Sequence, residues 1–205
     1  MNQLEHKYLH LVPGISGSGK TTMCRALEAA LCAEGLGAQV VVPHTTRPPR
    51  HGEIDGYDYH FHDSVPILGD GWRASCIGQH HYFNSDQETL PDTATPIKIL
   101  PVAYGALAEV IDDYARPDIR ITVTPIVIND EAQERWLESV APQRPTRDLR
   151  HELSEQARMV REAYPFIDEI FYPTWTSRDD DVGRYVGTAR ALLQATREGI
   201  LRRAL

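Results

Sequence analysis

Residues 7–34 read KYLHLVPGISGSGKTTMCRALEAALCAE. The first six read as a short buried strand. Met23, Leu27, Ala30 and Leu31 recur at the spacing of one helical face, which predicts a helix from about Lys20 to Glu34. Between them Gly14, Gly19, Lys20 and Thr21 satisfy GxxxxGK(S/T) in full. Strand, glycine loop and helix in that order make a phosphate loop. Glycines allow the tight turn that points successive N–H groups at phosphate oxygens, and the helix N-terminus adds partial positive charge. The expected ATP-binding set is Gly14, Ser16, Gly17, Ser18, Gly19, Lys20, Thr21 and Thr22. Lys20 would neutralise the β- and γ-phosphates, and the Thr21 hydroxyl would ligate Mg²⁺. The motif alone does not separate a kinase from a switch GTPase or an ATPase. No NKxD or switch-like DxxG accompanies it.

Outward from this stretch the chain keeps alternating strand and helix. Gly35 and Gly37 stop the first helix, and AQVVV (38–42) is the next strand. PIKILPV (96–102) is a strand followed by a helix with Leu107, Val110, Ile111 and Tyr114 on one stripe. DIRITVTPIVI (118–128) is a strand running into a loop. Helices at 129–140 and 148–163, a strand at 167–172 and a final helix from about 179 complete the pattern. The last helix carries Val182, Val186, Ala189, Leu193 and Ile200 near a 3.6 period, a stripe that is core or a homodimer surface. Such alternation predicts an α/β P-loop NTPase fold, a parallel sheet covered by helices on both faces.

At 205 residues the chain suits a single domain. Its core is expected at 1–42 and 97–205, its flap at 43–96 and a lid at about 141–150. The flap is rich in His, Gly, Pro and aromatics, with strand-like alternation near 57–61 and 80–83. A net charge of -8 argues against a nucleic-acid surface. A small anion remains accessible to locally clustered cations. Lysines occur only at 7, 20 and 98, whereas arginines cluster at Arg47 and Arg50 and at Arg144, Arg147 and Arg150. No long apolar run and no leader-like start are present, so no membrane partner and a cytoplasmic location are expected. The cysteines Cys24, Cys32 and Cys76 have neither disulfide-framework nor metal spacing.

HTTRPPRHGEIDGYDYHF (44–61) closely resembles the guanylate kinase signature TTRxPRxGExxGxDYxF. With the phosphate loop and the strand–helix order, the resemblance runs from about residue 8 to 172 and is weak beyond 61. It implies an ATP-dependent kinase whose acceptor phosphate is held by Arg47, Arg50 and Tyr59, with Tyr82 of HHYFNS as a further donor. Guanidinium forks and phenol donors suit a dianionic phosphate in their own right. Lid arginines Arg144, Arg147 and Arg150, with Arg158 a further candidate, would stabilise charge on the transferring group.

The departures are equally informative. Where the family places its guanine readers, this chain has Pro43, Gly71 before Trp72, Phe83 or Asn84, and Leu100 and Val102. PIKILPV also lacks an acid to support magnesium. A site built to hydrogen-bond one base discriminates strongly, so the loss points to an acceptor other than GMP. The expectation is a nucleoside monophosphate kinase acting on a modified or non-guanine nucleotide. The alternatives are a sugar phosphate kinase (a ribose bisphosphate, for example), guanylate kinase itself, or a non-catalytic phosphopeptide-binding module. Six of the nine histidines (His44, His51, His60, His62, His80, His81) fall in or beside the flap, and His60 shares a strand face with His62. Without a Cys or carboxylate in ligand spacing, they read as flap polarity rather than a metal site.

Overall fold

The computed structural model describes residues 7–66, 69–144 and 148–197. Arg147 and Ile200 lie outside them. The main sheet contains β1 (Lys7–Pro13), β2 (Ala38–Val40) and two strands met later in the chain. Helix α1 (Lys20–Ala33) joins β1 to β2, and Gly35 in the left-handed region (φ 76°) closes its end. The buried face of α1 is Met23, Cys24, Leu27 and Leu31. Cys24 takes the inward position expected of Ala30, which is only half-buried.

The chain then builds a second sheet from β3 (His44–Thr45), β4 (His60–Phe61), β5 (Trp72–Ile77) and β6 (His80–Ser85). Its order is β4-β3-β6-β5, with β3 parallel to β4 and antiparallel to β6. Ser85 opens the short α2 (Asp86–Thr89) through a capping box with Glu88.

The main sheet resumes with β7 (Ile97–Val102), α3 (Leu107–Tyr114) and β8 (Ile119–Val123), giving the parallel order β2-β7-β1-β8. Helices α4 (Gln133–Val140), α5 (Leu149–Ala163) and α6 (Arg178–Arg197) follow. One buried cluster packs α3, α4 and α5 against the sheet, including Leu9, Leu100, Ile111, Trp136 and Leu153. The other packs α1 and α6 against it through Leu27, Leu31, Tyr185, Ala189 and Leu193. Of the described α6 stripe, Ala189 and Leu193 are buried in this core and Val182 and Val186 pack partly buried against it. No helix among the described residues is long and apolar enough to cross a membrane.

Two expected elements are shorter than their patterns. The strand at 167–172 reduces to a single parallel bridge, Ile126 to Phe171. Pro125 contributes no N–H there, and the Asp168 carboxylate takes the Val123 N–H at 2.7 Å, so side chain and proline compete with the ladder. The helix at 129–140 begins at Gln133, because the Asn129 side chain binds the Ala132 N–H at 3.0 Å and fixes a turn first.

His10 on β1 is fully buried, with Nδ1 2.8 Å from Thr122 Oγ1 of β8 and Nε2 3.2 Å from Tyr185 Oη of α6. Burial lowers its pKa to about 4. The unfolded chain, near the ordinary 6.5, then binds the extra proton first. Stability from this group is complete above pH 6.5 and is lost as pH falls towards 4, a loss of about 3 kcal/mol. Urea melts from pH 7 to 4 should show that slope, and His10→Gln should flatten it. An unchanged slope in the variant would show that other groups drive the acid sensitivity.

Candidate active site

The phosphate loop leaves the C-terminal end of β1, where a parallel sheet presents its crevice. Gly19 stands at φ 93° as the residue before α1. At Gly17 (φ 78°) an added Cβ would lie 2.7 Å from Val140 Cγ1, so α4 packs against the bare backbone. Trp136 of α4 donates its indole N–H to the Gly17 carbonyl at 3.1 Å and is itself fully buried. Ser18 Oγ is buried and has no hydrogen-bond partner among the described residues.

Lys20 donates to the Gly14 and Ile15 carbonyls, each at 2.8 Å. Desolvation lowers its pKa to about 8, and the charges of Arg144 and Arg50 push in the same direction.

Two cavities meet at this lysine. One of about 330 Å³ runs between the flap sheet and α3, at the small end of ligand sites. The other, about 650 Å³, spreads over the phosphate loop from Ser16 to Met23, so it includes Thr21 and Thr22. Ser16, Lys20, Arg50 and Tyr59 line both.

The flap residues divide by role. Arg50 reaches across to Ser16 Oγ at 3.4 Å, and its backbone N–H donates to Glu53 Oε2 at 2.7 Å. Tyr82 lines the smaller cavity, its ring 6.0 Å from that of Tyr59. Burial raises the Tyr59 pKa, so the phenol stays a donor. Arg47 departs from expectation, because it lines neither cavity. Glu53 holds its guanidinium in a fork, with Nη1 at 2.9 Å and Nη2 at 3.0 Å, and the cation lies 5.2 Å over the Tyr59 ring. It braces the tyrosine from behind.

The lid arginines also separate. Arg144 joins the loop cavity, 3.4 Å from where a Gly17 Cβ would stand. Arg150 does not come to the site. It lies on the outer first turn of α5, paired with Glu134 at 3.8 Å, both side chains 72% exposed. Arg158 is likewise taken by Glu155 and Glu162.

Sequence reasoning missed Arg135 and Arg178, which line the loop cavity, and Glu152, which lines the smaller one and whose charge reaches Lys20. These residues come from α4, α5 and α6 and carry no local motif. Glu53 was readable, since it stands within the flap signature. The inner wall of the smaller cavity is Leu100, Pro101, Val102 and Ala103, with Asn84 facing it from β6. Asn84 Oδ1 is buried and has no hydrogen-bond partner among the described residues.

Residues 7–67 match the family model described as guanylate kinase. Guanylate kinase from Anaplasma phagocytophilum superposes with a TM-score of 0.57 at 14% identity, covering 91% of this chain and 86% of that one. The chain has a guanylate kinase-like P-loop fold. Curated relatives match part of the chain. Guanylate kinase from Nitrosococcus oceani is 49% identical over 53 residues, 26% of this chain and 24% of that protein. The guanylate kinase from Alkalilimnicola ehrlichii is 46% identical over 82 residues, 38% of each. The chain thus spans about a quarter to two-fifths of the length of these curated guanylate kinases. The family-model match includes Ser16, Lys20, Arg50 and Tyr59, the residues that line both cavities.

Proposed function

We propose that the protein transfers the γ-phosphoryl group of ATP to a small acceptor that already carries a phosphate, most simply a nucleoside monophosphate. The observation that carries this reading is the junction of Ser16, Lys20, Arg50 and Tyr59, shared by both cavities. Donor phosphates over the loop and an acceptor phosphate under the flap would meet there. A phosphate oxygen is already nucleophilic, so positioning and charge stabilisation suffice without a strong general base. Lys20, Arg50 and Arg144 supply the cations, and Tyr59 and Tyr82 the neutral donors.

Mg²⁺ would be held by Thr21, which lines the loop cavity, by the ATP phosphates and by water, because β7 carries no acid to support it; bound there with ATP, it would neutralise charge on the β- and γ-oxygens. The acceptor's non-phosphate end faces the apolar wall of Leu100, Pro101, Val102 and Ala103 with Asn84 and Ser75 as small polar groups, and the charged Arg73, Glu109, Asp113 and Glu152 also line this cavity. Leu100 and Val102, apolar where the resemblance implies guanine-reading acids, support an acceptor other than GMP.

The test is ADP formation from ATP–Mg²⁺ over a panel of nucleoside monophosphates and sugar phosphates. The expected result is strong turnover of one acceptor and weak turnover of GMP. Robust GMP turnover would refute the reading of the base end, and no turnover with any member would remove the acceptor class.

A further inference from the structure

The flap histidines acquire a partner that their sequence spacing did not offer. His44 of β3 and His60 of β4 are directly paired across the strands, and α2 brings the Glu88 carboxylate beside them. One ligand atom from each lies within 4.8 Å of the other two. A tetrahedral zinc site separates its ligand atoms by roughly 3.3 Å, so rotamer adjustments of about 1 Å close the triangle.

The surroundings are those of a built site. The remaining nitrogen of His44, Nδ1, lies 2.9 Å from His62 Nε2, while its Nε2 faces Glu88 Oε1 at 3.2 Å. Metal-bound histidines are oriented in this way, by a hydrogen bond at the nitrogen that does not ligate. Glu88 is held as well, because its Oε2 accepts from Ser85 Oγ at 2.6 Å and from the Ser85 N–H at 3.3 Å. Phe83 stacks on the His44 ring at 5.3 Å and Trp72 meets it edge-on at 5.2 Å. This partly dry wall favours neutral imidazole, the ligating form, and the His44 pKa is lowered chiefly by burial.

We propose that His44, His60 and Glu88 bind a divalent ion of the zinc class, with His62 as the residue that orients His44. Two imidazoles and one carboxylate select borderline ions over Mg²⁺, which prefers oxygen ligands and water. The site lines neither cavity, so the ion is structural. It ties β3, which leads into Arg47, to β4, which follows Tyr59, and both to α2. Occupancy would therefore stiffen the acceptor clamp.

Protein dialysed against a chelator should be titrated with zinc sulfate in the presence of a chromophoric competitor, with excess Mg²⁺ as a second arm. The expected result is one zinc per chain, not displaced by Mg²⁺, and a rise in melting temperature. Glu88→Gln keeps the capping box, which accepts Gln as well as Glu, and should weaken zinc by about tenfold or more. His44→Ala should abolish binding, whereas His80→Ala should leave it unchanged. Equal zinc affinity in wild type, Glu88→Gln and His44→Ala would overturn the site, as would zinc binding no tighter than that of the competitor.

Discussion

Lys20→Met is expected to lower turnover at saturating ATP by on the order of 10²–10³ or more, the loss typical of removing one preorganised charge donor. The unliganded fold should melt at the same temperature or higher. Lys20 is an ammonium confined among loop carbonyls, with its pKa lowered to about 8 by burial and by nearby arginines. The unfolded chain, near 10.5, binds that proton more tightly. The cost of burying the charge is therefore fully present below pH 8 and disappears as pH rises towards 10.5. Phosphate oxygens reverse the balance by neutralising the cation, so ATP binding at pH 8.5 should take up protons. Calorimetry in two buffers of different ionisation enthalpy measures that uptake. Unchanged turnover in Lys20→Met would sink the assignment of the loop.

Arg50→Ala should raise the KM for the acceptor by roughly 10- to 100-fold, the worth of a hydrogen bond to a charged group, and leave ATP binding nearly intact. Arg50 lines both cavities and reaches Ser16 across their junction, whereas Arg47 is buried in its fork with Glu53. The two arginines of one motif therefore fail differently. Arg47→Ala removes the fork and leaves the mostly buried Glu53 carboxylate with only the Arg50 N–H and the Arg50 guanidinium at 3.7 Å, and should destabilise the flap by about 1–3 kcal/mol. Its effect appears in thermal melts as well as in KM. Steady-state kinetics with acceptor and ATP varied separately, alongside melting curves, distinguishes these outcomes. Equal effects of the two substitutions on KM, with no loss of stability for Arg47→Ala, would contradict the division of roles.

The sequence made the loop and its flanking elements legible because local rules act there: glycines at set spacings, an apolar strand and a helical stripe. The parallel core followed from strand–helix alternation, and α6 found its stripe buried against α1. What escaped depended on distant partners. No local pattern shows that Trp136 will hold Gly17, or that Glu152 and Arg178 will face the loop from α5 and α6. Arg47 and Arg50 look equivalent in the motif, and only the fold separates them: Glu53 meets both, but it forks Arg47, while Arg50 lines the cavities. The strand at 167–172 was read from its apolar residues, but Pro125 and Asp168 decide how much of it can pair. The flap histidines lacked a carboxylate in sequence spacing until α2 placed Glu88 beside them.

The most direct measurement is ³¹P NMR of the protein with ATP–Mg²⁺ and each nucleoside monophosphate in turn, with Lys20→Met run in parallel. Phosphotransfer predicts paired growth of ADP resonances and of the two resonances of a new nucleoside diphosphate, absent in the variant. ATP that remains intact with every nucleoside monophosphate, while a phosphopeptide binds under the flap, would contradict it and identify a binding module instead.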